Sequence, residues 1–426
     1  MNNSFNNNEN NSENSSFLQI VEGLKKTLNL GGQGTGKTVN FADAVSAIND
    51  TINNSFINLN KMNILIAGKT GVGKSTLLNA IFGEEIVEAG IGKPVTQEIK
   101  KIEKEGFPLT IYDTPGLELG GAHSKENLLN GIRSIIKEGI ESGDISKAIH
   151  IILYCVNTKS ARFEDAEADF VRQLSESATA YNVPVIVVLT QTLSKKKGAE
   201  LKAVIENENL KVRNIIPVLA KDEEIDFENE IKRISSFGLE ALAREIEAAL
   251  PEAIKKTFAV IQRKSLSLKV KSAQKIVIAS ASAALATGAA PIPFSDAALL
   301  VPTEIAMIGS ITACFGLKNF PKAAITALLA ATIGSAGATV LGKTAVATLL
   351  KFIPGVGTVA GAVISGSTAA ALTASLGNAY IAIMKKIYTG EIKQEDLATD
   401  EGISMIKQEF LQQLKIKRDK NGNPVE

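Results

Sequence analysis

Residues 68–75 read Gly-Lys-Thr-Gly-Val-Gly-Lys-Ser, a run of glycines that ends in a lysine and a hydroxyl. The glycines let backbone N–H groups turn toward an anion without clashes from Cβ atoms. Lys74 adds a cation that can reach the outer phosphates of a nucleotide, and the Ser75 hydroxyl is suited to Mg²⁺. The predicted phosphate-binding residues are Gly68, Lys69, Thr70, Gly71, Val72, Gly73, Lys74, Ser75 and Thr76.

The flanking residues can form the two elements that such a loop needs. Before it, residues 63–67 are an apolar, β-prone run, and after it residues 77–82 carry apolar side chains at helical spacing. A strand that leads into the loop and a helix that begins at its end would aim N–H groups and the helix dipole at the phosphates. The sequence therefore predicts a P-loop at 68–75.

A second string, residues 31–38, satisfies the same pattern without this context. The residues before it, 17–26, show helical spacing of apolar side chains and no β-branched run. We interpret 31–38 as a linker between two helices, and the alternative is a second nucleotide site around Lys37.

A further strand-like run ends in Asp-Thr-Pro-Gly at 113–116. An Asp at the tip of a strand beside a P-loop is suited to hold Mg²⁺, and the Gly116 N–H can bond the γ-phosphate. Between the two motifs, Thr96 offers another hydroxyl to the metal. The predicted metal ligands are Ser75, Thr96 and Asp113, and the predicted catalytic residues are Lys74, Thr96 and Gly116.

Composition narrows the class of protein. The 426 residues carry a net charge of +1, so electrostatics give no reason to expect DNA or RNA as a partner. The two cysteines, Cys155 and Cys314, cannot form a disulfide framework, which favours a reducing compartment. The Asn/Ser-rich start has no cationic and apolar regions of a signal peptide, so we expect a cytoplasmic protein.

Apolar β-like runs alternate with helical ones between residues 62 and 250. This alternation predicts an α/β, three-layer domain with a mostly parallel six-stranded sheet and a ligand at the carboxyl ends of its strands. A charged helical stretch is expected over 222–275, followed by an all-α apolar domain. The predicted strands are 63–67, 98–105, 108–113, 148–156, 184–190 and 214–219.

The chain is expected to divide at changes of composition. The predicted segments are a disordered tail (1–16), a helical extension with a Gly-rich linker (17–60), the α/β domain (62–250), a connecting helix (251–275), the apolar helical domain (276–390) and a charged helical tail (391–426).

The motifs at Gly68–Ser75, Thr96 and Asp113–Gly116 resemble the P-loop, switch I and switch II of the translation-factor-related P-loop GTPases. The loop is most similar to septin, Toc and immunity-related branches, and residues 62–250 resemble a G domain of the 50S ribosome-binding type. The resemblance implies binding of GTP or GDP with Mg²⁺.

Two departures from this family concern the base and catalysis. Where the family has Asn/Thr-Lys-x-Asp, this chain reads Thr190-Gln191-Thr192-Leu193, without the carboxylate that pairs with guanine. Thr190 and Gln191, with Ala220 and Lys221 in a loop similar to the family's Ser-Ala-Lys turn, are the implied base-binding residues, and Gln191 could stack its amide on the base. Leu117 stands where a water-orienting Gln is found in Ras-like members, which implies slow hydrolysis.

The apolar region near the C-terminus resembles a second family. Residues 291–308 and 353–357 are similar to the domain of unknown function, family 697, which commonly follows a GTPase domain. Its uncharged spans, 276–295, 323–342 and 352–384, are long enough to cross a bilayer, although their Ala, Gly, Ser and Thr content also suits a soluble bundle. The length of the spans favours association with the cytoplasmic face of a membrane through residues 276–384.

Together these features predict a GTP-binding switch that slowly hydrolyses GTP to GDP and phosphate. A second G domain or an activating partner would supply the missing catalytic group, and the nucleotide state would control the apolar domain. The alternatives are a ribosome-associated assembly GTPase and a membrane scaffold with a structural nucleotide site.

Overall fold

The computed structural model describes residues 17–24, 41–83, 91–94, 99–116, 122–160, 162–227, 230–287, 292–293, 300–318, 320–326, 363–364, 366–402 and 404–405. The chain divides into two compact units, Leu59–Leu268 and Met1–Asn58 with Lys269–Glu426.

The helices and strands are numbered in chain order. The helices are α1 (17–24), α2 (Phe41–Ile57), α3 (Lys74–Phe82), α4 (Ala122–Glu141), α5 (Asp165–Ala180), α6 (Lys195–Glu206), α7 (Leu239–Ala249), α8 (Glu252–Ile261), α9 (Leu266–Thr287), α10 (Val301–Cys314), α11 (322–326) and α12 (Gly366–Thr389). The strands are β1 (Met62–Gly68), β2 (Ile91–Pro94), β3 (Lys100–Glu103), β4 (Leu109–Asp113), β5 (Ile151–Asn157), β6 (Val185–Thr190), β7 (Asn214–Pro217), β8 (Glu223–Phe227), β9 (Glu230–Ile234), β10 (Ile292–Pro293) and β11 (Val363–Ile364).

A mostly parallel sheet forms the centre of the unit Leu59–Leu268. Its order is β2-β3-β4-β1-β5-β6-β7, with parallel pairing from β4 to β7 and antiparallel pairing of β2 with β3 and of β3 with β4. The predicted α/β fold class is confirmed, and the sheet has seven strands instead of six. The additional strand, β2, lies in a predicted loop because its four residues contain a glycine and a proline, and such a strand is tolerated at a sheet edge.

All seven residues of β1 are buried, because the strand lies between two parallel neighbours and has helices on both faces. Leu65 and Ala67 belong to an apolar core that includes side chains of α4, α5 and α6. Ile64 and Ile66 alternate to the other face. There α8 contacts β1, and Phe258 of α8 packs edge to face against Phe82 of α3, with ring centroids 6.2 Å apart.

The prediction of a helical stretch over 222–275 is wrong at its start. Strands β8 and β9 pair antiparallel as a hairpin, with Glu223 opposite Ile234 and Phe227 opposite Glu230. Ile225 and Phe227 recur with a period of two, which suits a strand, although the many charges suggested a solvated helix.

The single connecting helix predicted over 251–275 is also wrong, because α8 ends at Ile261 and α9 begins at Leu266. The Gln262 side chain is fully buried and closes the turn between them. Its Oε1 accepts hydrogen bonds from the N–H groups of Lys264 and Ser265, each at 2.8 Å, and its Nε2 donates to the Ser265 carbonyl. These bonds satisfy backbone groups that a continuous helix would have paired internally.

Helix α2, from the N-terminal part of the chain, packs in the second unit against α10. A Cβ at Gly309 of α10 would lie 2.7 Å from the Thr51 Cβ and 3.2 Å from the Ile48 carbonyl oxygen, so a glycine permits this close approach. The described part of this unit is helical except for the short antiparallel pair β10 and β11. None of its described helices, nor any other in the described ranges, has the length and apolar character needed to span a bilayer.

The pairing of β3 with β4 creates a pH-sensitive contact at Glu103. Partial burial raises the pKa of this carboxyl, but hydrogen bonds from Lys61, Lys101 and Thr110 outweigh it and lower the pKa to about 2. Because the folded pKa is below the ordinary value of 4.5 for this carboxyl, this contribution to stability is present above pH 4.5 and is lost as the pH falls toward 2. We expect Glu103→Gln to flatten that part of the stability–pH curve, measured by urea unfolding. An unchanged slope in the variant would contradict this assignment.

Candidate functional site

A pocket of about 560 Å³ opens where several strands of the sheet end. The loop after β1, the carboxyl ends of β4 and β6, the segment after β7 and the start of β8 line it. The lining residues are Thr70, Gly71, Val72, Gly73, Lys74, Ser75, Thr76, Asp113, Thr114, Pro115, Gly116, Thr190, Gln191, Leu219, Ala220, Lys221 and Glu223. Residues from four separated stretches of sequence therefore meet in one pocket.

The loop between β1 and α3 adopts a glycine-dependent backbone. Gly68, Gly71 and Gly73 have φ values of 141°, 70° and 100°, which residues with a Cβ rarely adopt. At Gly68 a Cβ would also lie 2.4 Å from the carbonyl oxygen of Cys155 on β5. The loop can therefore present backbone N–H groups to a bound anion only with glycines at these positions.

Lys74 is the first residue of α3, and its ammonium group lies over the loop. Its Nζ donates hydrogen bonds to the Gly68 carbonyl at 3.1 Å and the Lys69 carbonyl at 3.4 Å. The helix starts after Gly73 without a side-chain cap, so its first N–H groups and the positive end of its dipole are available to phosphates. A fixed cation and a helix N-terminus thus face the same pocket.

Asp113 lies at the end of β4, directly beside the P-loop strand. It is in register with Ile66 of β1, and the next residue, Thr114, donates its N–H to the Ile66 carbonyl at 3.1 Å. The Asp113 Oδ1 is buried and has no hydrogen-bond partner among the described residues. Burial raises the pKa of this carboxyl, and the charges of Lys74 and Lys100 partly oppose the rise.

The side-chain oxygens of Asp113 and Ser75 are suited to a hard cation such as Mg²⁺. The Asp113 Oδ1 has no hydrogen-bond partner among the described residues, and Ser75 lines the same pocket. Mg²⁺ is bound by a few protein oxygens together with substrate phosphates, as these two residues and the P-loop would allow.

The Asp-Thr-Pro-Gly segment contacts the P-loop closely at Gly116. A Cβ there would lie 1.8 Å from the Thr70 Oγ1 and 2.5 Å from the Thr70 backbone nitrogen. Only a glycine therefore lets the end of this segment reach the P-loop, and Gly116 lines the pocket.

Thr190 and Gln191 hold the P-loop in place from the end of β6. The buried Thr190 hydroxyl contacts the carbonyls of Val72 at 2.5 Å and Val156 at 3.1 Å. Gln191 has a left-handed backbone (φ 53°), and its Nε2 donates to the Gly71 carbonyl at 2.9 Å. The side-chain amide that we expected over a base thus bonds the loop itself, and both residues position the phosphate cradle.

Lys69 belongs to the P-loop, but its side chain is directed to the start of α5. Its Nζ lies 3.0 Å from carboxylate oxygens of both Glu164 and Glu167. Glu167 is buried and also accepts a hydrogen bond from the Tyr154 hydroxyl at 3.1 Å. Burial lowers the pKa of Lys69, but the hydrogen bonds to Glu167 and Glu164 outweigh it and raise the pKa. Sequence analysis missed these two ion pairs, because Glu164 and Glu167 follow Lys69 by 95 and 98 residues in the chain.

The segment after β7 completes the pocket with Leu219, Ala220 and Lys221. Leu219 exchanges backbone hydrogen bonds with Phe237, at 3.0 and 3.1 Å, which fixes the segment against the chain that follows the β8–β9 hairpin. Lys221 is 68% exposed, with its Nζ 3.8 Å from Glu223 Oε1. Sequence analysis also missed Glu223, although it follows the predicted base-binding loop by only two residues.

Some predicted residues lie outside the described ranges. These are Thr96, Leu117 and the second Walker-like string with Lys37. His123 lies in the first turn of α4.

Two family profiles match separate parts of the chain. Residues 63–191 match the 50S ribosome-binding GTPase family, and residues 255–415 match the domain of unknown function DUF697. The first match covers β1 through the end of β6, and so contains the P-loop, Asp113 and Gln191.

Curated proteins with similar sequences include a cell division control protein, a chloroplast translocase and a GTP-binding protein. The chain is 25% identical over 214 residues to cell division control protein 10 of Saccharomyces cerevisiae, covering 44% of this chain and 66% of that protein. It is 31% identical over 124 residues to translocase of chloroplast 34 of Pisum sativum, covering 28% and 36%. It is 33% identical over 119 residues to GTP-binding protein A of Dictyostelium discoideum, covering 28% and 25%. The chain thus spans at most about two thirds of the length of these relatives.

Among solved structures, Toc33 of Arabidopsis thaliana is similar at 17% identity and a TM-score of 0.30, covering 50% of this chain and 92% of that one. Cdc11 of Saccharomyces cerevisiae is similar at 20% identity and a TM-score of 0.26, covering 45% and 80%. The family matches, together with the sheet and the glycine-dependent loop described above, show a P-loop GTPase fold around residues 63–191 and a region similar to DUF697 at residues 255–415.

Proposed function

We propose that the pocket binds GTP or GDP with Mg²⁺ and that the chain is a slow GTPase whose nucleotide state acts as a switch. The observation that carries this proposal is that one pocket contains the P-loop cation Lys74 and the buried Asp113 Oδ1, which has no hydrogen-bond partner in the part of the chain that the structure describes. One group is suited to phosphates and the other to a cation that accompanies them.

Each residue would contribute a separate part of nucleotide binding. Lys74 and the N–H groups at the start of α3 bind the phosphates, and Gly116 places its N–H where a terminal phosphate can be sensed. Bound Mg²⁺ would neutralise phosphate charge, with Ser75 and Asp113 as its protein ligands and Thr96 proposed as a third. Thr190 and Gln191 keep the P-loop backbone in the conformation that binds the anion.

A slow intrinsic rate is proposed because Leu117 follows Gly116. An apolar side chain cannot accept or donate the hydrogen bonds that orient an attacking water molecule. A second G domain or an activating partner would supply the missing group, so the active species would be a dimer or a complex.

The test is a measurement of phosphate release from GTP over a range of protein concentrations in Mg²⁺. We expect the rate per molecule to be low in dilute solution and to rise with concentration, because association completes the catalytic site. A fast rate that does not depend on concentration would contradict this, and would show that a residue such as His123 acts within one chain.

The two alternatives, a ribosome-associated assembly GTPase and a membrane scaffold with a structural nucleotide site, remain separate proposals. The match to the 50S ribosome-binding GTPase family supports ribosome association, whereas the net charge of +1 offers no general electrostatic attraction to RNA. Membrane association through residues 276–384 and a cytoplasmic location remain predictions from sequence.

A further inference from the structure

The pocket contains a carboxylate at each end. Among its lining residues, the carboxylates belong to Asp113, at the end of β4, and Glu223, at the start of β8 just after β7. Strands β4 and β7 are four positions apart in the sheet. At about 4.8 Å per strand, the ends of β4 and β7 are about 19 Å apart, which puts the two carboxylates on opposite sides of the pocket. With phosphates at the P-loop, the base would lie toward Glu223.

The base end of the pocket needs an acceptor that the neighbouring residues do not supply. The Watson–Crick edge of guanine presents two donors, N1–H and the 2-amino group, and a carboxylate can accept both. Leu193 has no polar side-chain atom, and the Thr190 hydroxyl and Gln191 amide already bond the P-loop. Glu223 is the lining residue with the required chemistry at this end.

Hydrogen bonds hold the chain just before Glu223, and Glu223 itself pairs with Ile234 in the β8–β9 hairpin. The preceding residue, Asp222, accepts hydrogen bonds from Arg233 at 2.8 Å and from the Ser236 N–H at 2.8 Å. Leu219 is bonded to Phe237, as described above. The Glu223 side chain itself is 32% exposed, and its Oε1 lies 3.8 Å from the Nζ of the exposed Lys221. An exposed pair of this kind contributes little, so the carboxylate can exchange it for a ligand.

We propose that Glu223 is the specificity-determining residue for the base: its carboxylate accepts hydrogen bonds from N1–H and the 2-amino group of guanine, in the role for which Leu193 is unsuited. This inference rests on the proposed nucleotide-binding function. It identifies a purine with donors at both positions as the preferred ligand.

The test is fluorescence competition on the full chain in Mg²⁺ with GTP, ITP, XTP and ATP, using wild type, Glu223→Gln and Glu224→Gln. Inosine lacks the 2-amino group, and xanthine replaces it with a carbonyl that a glutamine amide can pair with. Glu224 is the matched control, because it is exposed, adjacent in β8 and alternates to the other side of the strand, opposite Arg233.

We expect wild type to prefer GTP over ITP by about 10-fold, which is typical of one hydrogen bond to a charged group. Glu223→Gln should bind GTP about 10- to 100-fold more weakly and XTP more tightly, and this gain would show that the variant is folded. Glu224→Gln should resemble wild type.

The outcomes distinguish a failure of the proposed role of Glu223 from a failure of the proposed nucleotide site. If wild type binds GTP and Glu223→Gln keeps the wild-type ratio of GTP to XTP affinity, the role of Glu223 is wrong and the nucleotide site stands. A wild-type preference for ATP would also overturn the role of Glu223. If wild type binds none of the four nucleotides, both proposals are wrong.

Discussion

Lys74→Ala is expected to weaken guanine-nucleotide binding by about 100-fold or more, because the phosphates lose a charge-assisted contact from the cation that the structure places over the P-loop. The measurement is a titration of the full chain with a fluorescent GTP analogue in the presence of Mg²⁺. Circular dichroism would verify that the variant retains its secondary structure.

Lys37→Ala is the matched control for Lys74→Ala, since Lys37 occupies the same position in the second Walker-like string. We expect its binding curve to overlay that of wild type. Equal losses in the two variants would mean that the string at 31–38 takes part in binding, and our interpretation of it as a linker would have to be abandoned.

Gly68→Ala is expected to destabilise the G domain by about 3 kcal/mol, from steric overlap and a strained backbone together. The added Cβ would lie 2.4 Å from the Cys155 carbonyl oxygen on β5, and the φ of 141° is unfavourable for alanine. Amide hydrogen exchange of the full chain, followed in peptides that cover β1 and β5, measures this loss locally.

Gly143→Ala is the control that distinguishes steric overlap from backbone strain as the cause of the destabilisation in Gly68→Ala. Gly143 also has a left-handed backbone, with φ 67°, but an added Cβ there would meet no atom within 4 Å. We expect a cost of about 1 kcal/mol, from backbone strain alone. Similar protection losses for both variants would show that the contact with β5 contributes little.

Much of the P-loop could be predicted because its signals are local. The signals are the apolar run of β1, the glycines of the loop and the helical spacing of apolar residues in α3, all within about twenty consecutive residues. Each of them favours a particular backbone conformation without help from distant residues. Asp113 could be placed beside the loop because parallel strands end at the same edge of a sheet.

The prediction of secondary structure from local sequence was wrong in two places between residues 222 and 275. The hairpin β8–β9 was predicted as helix because its charges outweighed a short alternating pattern. A continuous helix over 251–275 was predicted because the turn at Gln262 depends on a buried side chain that bonds the backbone, which composition does not reveal.

The anchors of the P-loop were decided by the tertiary structure. The Thr190 hydroxyl meets the Val72 carbonyl across 118 residues of sequence, and Lys69 meets Glu167 only because α5 follows β5 next to β1. No short-range pattern encodes such pairs, since they depend on which strands become neighbours.

The sequence by itself determined the phosphate-binding chemistry, because glycine conformations and a lysine at a helix start are properties of adjacent residues. The tertiary structure decided which side chains support that chemistry and which face the far end of the pocket. In the folded chain, Thr190 and Gln191 form hydrogen bonds with carbonyls of the P-loop, and Glu223 lines the pocket. The physical reason is that the order of strands in the sheet, and not distance along the chain, sets which residues share a site.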